Sequence, residues 1–148
     1  MRPTPPGFDP HVWTELEEAR AQLKSGETAG ALAMYRMAFH ECLARSDHYH
    51  ASVIAHMAGV AEPDLIKKHE WNVAALREAD AVADRARVKD TYASSYNNLG
   101  MSFARLGEHE KAIESFEQAL AHVGDVPPGP YADQVRGGIE RNLARLRE

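Results

Sequence analysis

Cysteine is almost missing from this sequence: Cys42 is the one thiol among 148 residues. It has no internal disulfide partner, so the fold is expected to form without staples, in a reducing compartment. Long apolar runs are missing too, and none approaches the ~18 residues of a membrane span. The opening residues, Met1-Arg2-Pro3-Thr4-Pro5-Pro6-Gly7, contain no apolar stretch of the signal-peptide kind, which sets the expectation of a cytoplasmic protein with no membrane role. Positive charge is short: Lys and Arg number 17 against 22 Asp and Glu, a net charge of −5. That disfavours nucleic acid as a partner, because phosphate neutralisation needs a basic face. Proline is absent from the interior except at Pro63, the other seven lying at 3, 5, 6, 10, 127, 128 and 130. The stretches 11–62 and 64–126 therefore lack the strongest helix breaker. β-Branched residues are few: Val, Ile and Thr total 17 against 24 Ala. With no alternating apolar run bounded by Asn-Gly or Asp-Gly, no sheet is expected.

What remains is an ordinary globular composition, 44% apolar and 26% charged, organised as helices. Residues 1–10 read as a loose Pro-rich arm. Helices are predicted over about 11–24, 28–45, 48–60, 64–86, 91–106 and 109–122, with a last one from about 131 to 147. Trp13, Leu16, Ala19 and Leu23 form the first apolar stripe. Ala31, Leu32, Tyr35, Ala38, Phe39 and Cys42 form the second at i, i+3, i+4 spacing. Asp47 and Asp64 are placed to cap the third and fourth helices, and Asp90-Thr91 the fifth. The last helix starts with Pro130 in its first turn and carries Val135, Ile139, Leu143 and Leu146 on one face. Short turns between these helices imply antiparallel neighbours.

An internal repeat organises the pattern. Tyr96-x-x-Leu99-Gly100-x-x-Phe103, then Leu106-Gly107, then Ala112-Ile113-x-x-Phe116-x-x-Ala119, place aromatic and leucine side chains between two helices. Gly100 and Ala112 are small where the axes approach, and Gly107 permits the turn. Gly26, Ala31, Leu32, Tyr35 and Ala38 repeat Gly107, Ala112, Ile113, Phe116 and Ala119 at a constant offset of 81 residues. Glu15, Glu18 and Gln22 stand where Tyr96, Leu99 and Phe103 stand later, and a shift of one residue would set Arg20 opposite Gly100. The middle unit has Gly59 in its first helix. Val73, Leu76 and Ala79 lie in a second helix that reads two to three turns longer than its counterparts.

This pattern resembles the tetratricopeptide repeat. The resemblance covers roughly 11–124 and is strongest in the third unit. It implies an all-α, right-handed α-α superhelix of three helical hairpins, about 12–45, 48–86 and 91–124. With a C-terminal capping helix, the hairpins would form a single domain over 11–148. It implies a non-catalytic scaffold that binds a protein or peptide along a concave groove lined by the first helix of each hairpin. The family's carboxylate-gripping clamp does not transfer: Asn98 matches one asparagine, but the basic residues fall out of step.

Side chains that could carry chemistry have plainer readings. The eight histidines include His48-Tyr49-His50, whose rings would point ~200° apart on a helix. No His-x-x-x-His exists, and His40-Glu41 lacks the second histidine of a zincin, so no metal and no cofactor is expected. Cys42 lies on a buried stripe and reads as core. No nucleophile elbow or phosphate loop is present, so no catalytic residue is assigned and the protein is read as not an enzyme. Trp71 reads as a wedge in the core, with an interface anchor as its alternative. Arg85, Arg87 and Lys89 read as the positive end of the long middle helix.

Superposing the three first helices gives the groove candidates implied by the resemblance. Trp13, Val53 and Ser94 fall in one row, Leu16, His56 and Asn97 in a second, and Arg20, Val60 and Met101 in a third, with Arg105 one turn further on. Two other functions compete with the binding groove. One is a structural homodimer formed through the long middle helix or the first hairpin. The other is a metal-dependent enzyme built on the histidines.

Overall fold

The computed structural model describes residues 2–148. Among them are seven α-helices and no strand: α1 (Pro10–Lys24), α2 (Thr28–Ala44), α3 (His48–Ala61), α4 (Leu65–Asp80), α5 (Tyr92–Arg105), α6 (His109–His122) and α7 (Pro130–Leu146). Sequential helices pair as antiparallel hairpins, α1 with α2, α3 with α4 and α5 with α6. The chain divides into two compact units, residues 2–81 and 82–148.

The hairpin turns repeat in atomic detail. Gly26 and Gly107, 81 residues apart, both take positive φ, +81° and +83°. In the first turn the Glu27 amide donates to the Gln22 carbonyl at 2.8 Å; in the later one the Glu108 amide donates to Phe103 at 2.9 Å. These bonds satisfy carbonyls that a helix end leaves open. The same arrangement joins α2 to α3, where Asp47 donates to Cys42 at 2.9 Å. There the left-handed residue is Ser46, with φ 54°. Asp47 and Asp64 cap α3 and α4 through their side chains, accepting from the His50 and Lys67 amides. Thr91 makes no side-chain cap on α5; its hydroxyl donates instead to the Val88 carbonyl.

Residues 2–81 enclose a core of Val12, Leu16, Ala19, Ala31, Tyr35, Ala38, Cys42, Ile54 and Ala55 with their neighbours. Ala19 is fully buried and stands 81 residues before Gly100, which fixes the register of α1 without the one-residue shift. Gly59 supports its match to Gly100 in the same way: a Cβ there would come within 2.7 Å of Asn72 Oδ1. In residues 82–148 the core is Ala93, Ala112, Phe116, Ala119, Val123, Ile139 and Leu143, with Val135 and Leu146 packed against it. Ile139 and Leu143 seat α7 on the last hairpin, each worth about 1.5–3 kcal/mol as an upper estimate.

Two expectations are corrected. The fourth helix does not continue to 86; α4 ends at Asp80. Beyond it the chain turns through two 3₁₀ segments, Arg85–Arg87 and Lys89–Thr91. The reason is burial: among 81–87 only Val82 is buried, and helical propensity without a packed face does not sustain further turns. Arg85, Arg87 and Lys89 therefore do not close a helix. Arg85 instead lies 5.5 Å over the Tyr92 ring and donates to its hydroxyl. The N-terminal arm is not loose over 2–10. Arg2 pairs with Glu17 at 2.7 Å, Phe8 packs edge-on to His50, and the Asp9 amide donates to His50 Nε2 at 3.0 Å.

Gly100 gives the sharpest test of this packing. A Cβ built there would lie 2.6–2.9 Å from three atoms of the Phe116 ring, which is 1% exposed and has no room to retreat. Gly100→Ala gains about 1 kcal/mol of helix propensity but incurs overpacking of roughly 1–3 kcal/mol. The expected result is a net lower midpoint in urea denaturation followed by circular dichroism. An unchanged or higher midpoint would show that the helices do not approach as described.

Candidate binding surfaces

The groove candidates separate by burial and by unit. In residues 2–81, Leu16 is 1% exposed. It is a core residue, not a groove residue, because α1 must bury it beside Val12 and Ala19 to hold the first hairpin. Trp13 is half-buried. Its indole N–H donates to the Arg2 carbonyl at 2.9 Å, the Arg2 guanidinium lies 5.0 Å over its ring, and Phe8 meets it edge-on. The arm thus covers the face that Trp13 was expected to offer. Val53 packs against the core margin. Arg20 keeps 38% of its side chain exposed, 3.9 Å from Glu17. Val60 is 65% exposed.

His56 is half-buried, and loss of solvation alone pushes its pKa below the ordinary imidazole value. A neutral ring is a hydrogen-bonding reader rather than a fixed charge. Two other histidines serve the fold. His50 donates through Nδ1 to Asp47 at 2.9 Å while Nε2 accepts from the Asp9 amide, and His48 pairs with Glu78 at 2.9 Å.

In residues 82–148, the Ser94 hydroxyl donates to the Thr91 carbonyl at 3.2 Å. Asn97 accepts from the Asn142 amide of α7 at 3.0 Å and lies 3.9 Å from Met101 Sδ. Asn97 is therefore engaged by the capping helix. Met101 and Arg105 are exposed on the same side of α5. Of the groove candidates, Val60 in residues 2–81 and Met101 and Arg105 in residues 82–148 are exposed, while Arg20 is half-buried.

A second surface lies on α2 and α4, the first hairpin and middle helix that the homodimer reading invoked; the sequence did not show its cavity. A cavity of about 440 Å³ is lined by Arg36, Glu62, Lys67, Glu70, Trp71 and Ala74. Trp71 is half-buried and meets Phe39 edge-on at 5.3 Å, so it is both a packing residue and part of the cavity wall. An open apolar patch beside it includes Met37, His40 and Ala44, with Met37 64% exposed. The outward residues of α2 break its apolar periodicity, and that was the available signal. Cys42 is 1% exposed, and burial pushes its thiol pKa up to about 11.

The family whose model matches this chain is described as the tetratricopeptide repeat, over residues 93–122. That segment is α5 and α6 with the Gly107 turn between them. The third hairpin therefore matches the tetratricopeptide repeat in sequence, and its two helices and turn lie where that match places them. No curated protein matches the chain. None of the described helices is long and apolar enough to cross a membrane.

The half-buried imidazole of His56 gives a signed pH dependence. His56 is harder to protonate in the folded chain than in the unfolded one, so its contribution is intact above about pH 6.5 and is lost as the pH falls below it. The melting temperature is expected to fall between pH 7.5 and 5.5, and His56→Gln is expected to remove part of that fall. Identical pH profiles for the two proteins would place His56 in a solvated setting.

Proposed function

We propose that this chain is a non-catalytic scaffold that binds a protein or peptide through the first helices of its hairpins. The observation that carries the reading is the solvent-open face of α5 formed by Met101 and Arg105, which lies within the matched repeat; Arg20 and Val60 stand at the places equivalent to Met101 in the first two hairpins. Met101 offers an apolar, adaptable contact. Arg105 and Arg20 offer guanidinium forks for carboxylates of an acidic or C-terminal segment. Within residues 2–81, His56 and Val53 lie one and two turns before Val60 on α3, and Trp13 contributes only where the arm leaves it uncovered; within residues 82–148, Ser94 and Asn97 precede Met101 on α5. The test is affinity capture with wild type, Met101→Asp and Arg105→Ala in parallel. Proteins retained by the wild type are expected to be lost from both variants, with melting temperatures unchanged. Equal retention by all three would move the binding surface off α5.

A second reading, a homodimer, is favoured by Met37, Val73 and Ile66, which are 64%, 42% and 57% exposed within one unit. It would use α2 and α4 at their observed lengths rather than an extended middle helix. Light scattering over a dilution series decides it. A dimer mass that falls on dilution, and is abolished by Met37→Glu, supports self-association; a monomer mass at the highest concentration removes it.

A further inference from the structure

The offset of 81 residues relates more than the hairpin turns. In the last hairpin, Tyr92 and Tyr96 of α5 and His122 at the end of α6 stack on one another. Their ring centroids are 6.1 Å apart for the two tyrosines, 5.0 Å for Tyr92 and His122, and 5.7 Å for Tyr96 and His122. The hairpin geometry therefore brings these three positions to one point. The residues 81 positions earlier are His11, Glu15 and Glu41. Where the last hairpin fills the space with rings, the first fills it with one imidazole and two carboxylates.

Their ligating atoms lie within 4.8 Å of one another. His11 Nε2 is 3.3 Å from Glu15 Oε1. That same oxygen is buried and has no hydrogen-bond partner. A carboxylate oxygen buried without a hydrogen bond is costly and marks a place where something positive belongs. Burial raises the Glu15 pKa, and the nearby Glu41 carboxylate raises it further; His11 and Arg45 oppose the shift, and Glu18 adds to it. Arg45 does not neutralise the pair on its own, since its guanidinium reaches Cys42 Sγ at 3.6 Å and Asp47 at 4.0 Å.

We propose that His11, Glu15 and Glu41 form a mononuclear binding site for a divalent transition-metal cation, with Zn²⁺ as the fitting ion. One nitrogen and two oxygens match zinc's donor preference, and water completes the tetrahedron. Magnesium is a poor match, since it demands oxygen donors in octahedral array. Ligand atoms around zinc sit about 3.4 Å apart, given bonds of roughly 2.0–2.2 Å; the His11–Glu15 pair is already that close, and the remaining separations, within 4.8 Å, must close by up to about 1.4 Å. The His11 side chain is 72% exposed and Glu41 is exposed, so both have room to swing while Glu15 stays fixed. His11 and Glu15 occupy one helix face at i, i+4, and Glu41 arrives from α2. The ion would tie the two helices of the first hairpin together, a role independent of any ligand held at α5.

The test uses the full-length chain without a histidine tag, stripped with a chelator and titrated with zinc chloride by calorimetry at pH 7.5. One equivalent is expected, with a higher melting temperature in its presence. His11→Ala and Glu41→Gln, both at exposed positions, are each expected to weaken binding at least about tenfold, since losing even an outer partner of a metal ligand costs 10–100-fold. His109→Ala should leave binding unchanged. Affinity should also be lower in acid than at pH 7.5, because protons compete with the metal for its ligands. No saturable binding, or binding undiminished in both His11→Ala and Glu41→Gln, would overturn the site; the latter result would mean that zinc sits on other histidines.

Discussion

Two helices can lie close only where one of them presents almost no side chain, and this constraint sets the structure of every hairpin. Gly100 meets the Phe116 ring, Gly59 meets Asn72 and Trp71, and Ala19 is wholly buried at the matching place in α1. Once the helices are that near, the connecting turn must reverse the chain within a few residues. A left-handed residue then becomes necessary at Gly26 and Gly107, and at Ser46 despite its side chain. The aromatic keys follow from the same constraint. Tyr35 and Phe116, 81 residues apart, are the largest fully buried side chains, because each fills the space that closeness leaves between its own helix and the partner.

The parts of the fold that were legible in sequence are those governed by short-range rules. Spacing of apolar residues, the two turn glycines and the Asp caps located all seven helices. The end of α4 was not legible, because Ala81, Ala83 and Ala86 are good helix formers whatever surrounds them. What ends the helix is the lack of anything for that stretch to bury, and sequence periodicity does not report it. The arm was misjudged for a related reason. Its prolines and glycine suggest looseness, but Arg2, Phe8 and Asp9 find partners 15, 5 and 41 residues away, and such pairings carry no local signature.

The candidate surfaces were legible in register but not in facing. Leu16 lies inside while Arg20, four residues on, keeps 38% of its side chain exposed. A small rotation of a helix about its axis decides that difference. Glu15 is the most instructive residue. At the position of Tyr96 it looks like a weak match to the repeat, a polar residue where an aromatic is wanted. The structure keeps it at that position and leaves its oxygen buried. The departure from the pattern thus marks a chemical change within a conserved geometry. A search limited to pairs of histidines passes over the His11–Glu15 spacing.

Cys42 has a consequence of a different kind. Its sulfur is enclosed by the first hairpin, and its thiol ionises only near pH 11. Only a thiolate attacks electrophiles at an appreciable rate. At neutral pH the side chain is thus silent while α2 stays packed, and it becomes an ordinary reactive thiol when the helix lifts away. The molecule carries a single-atom clock for the opening of its N-terminal unit. The rate at which an alkylating reagent marks that sulfur measures how often the core is breached, with no probe added and no other cysteine to confuse the count.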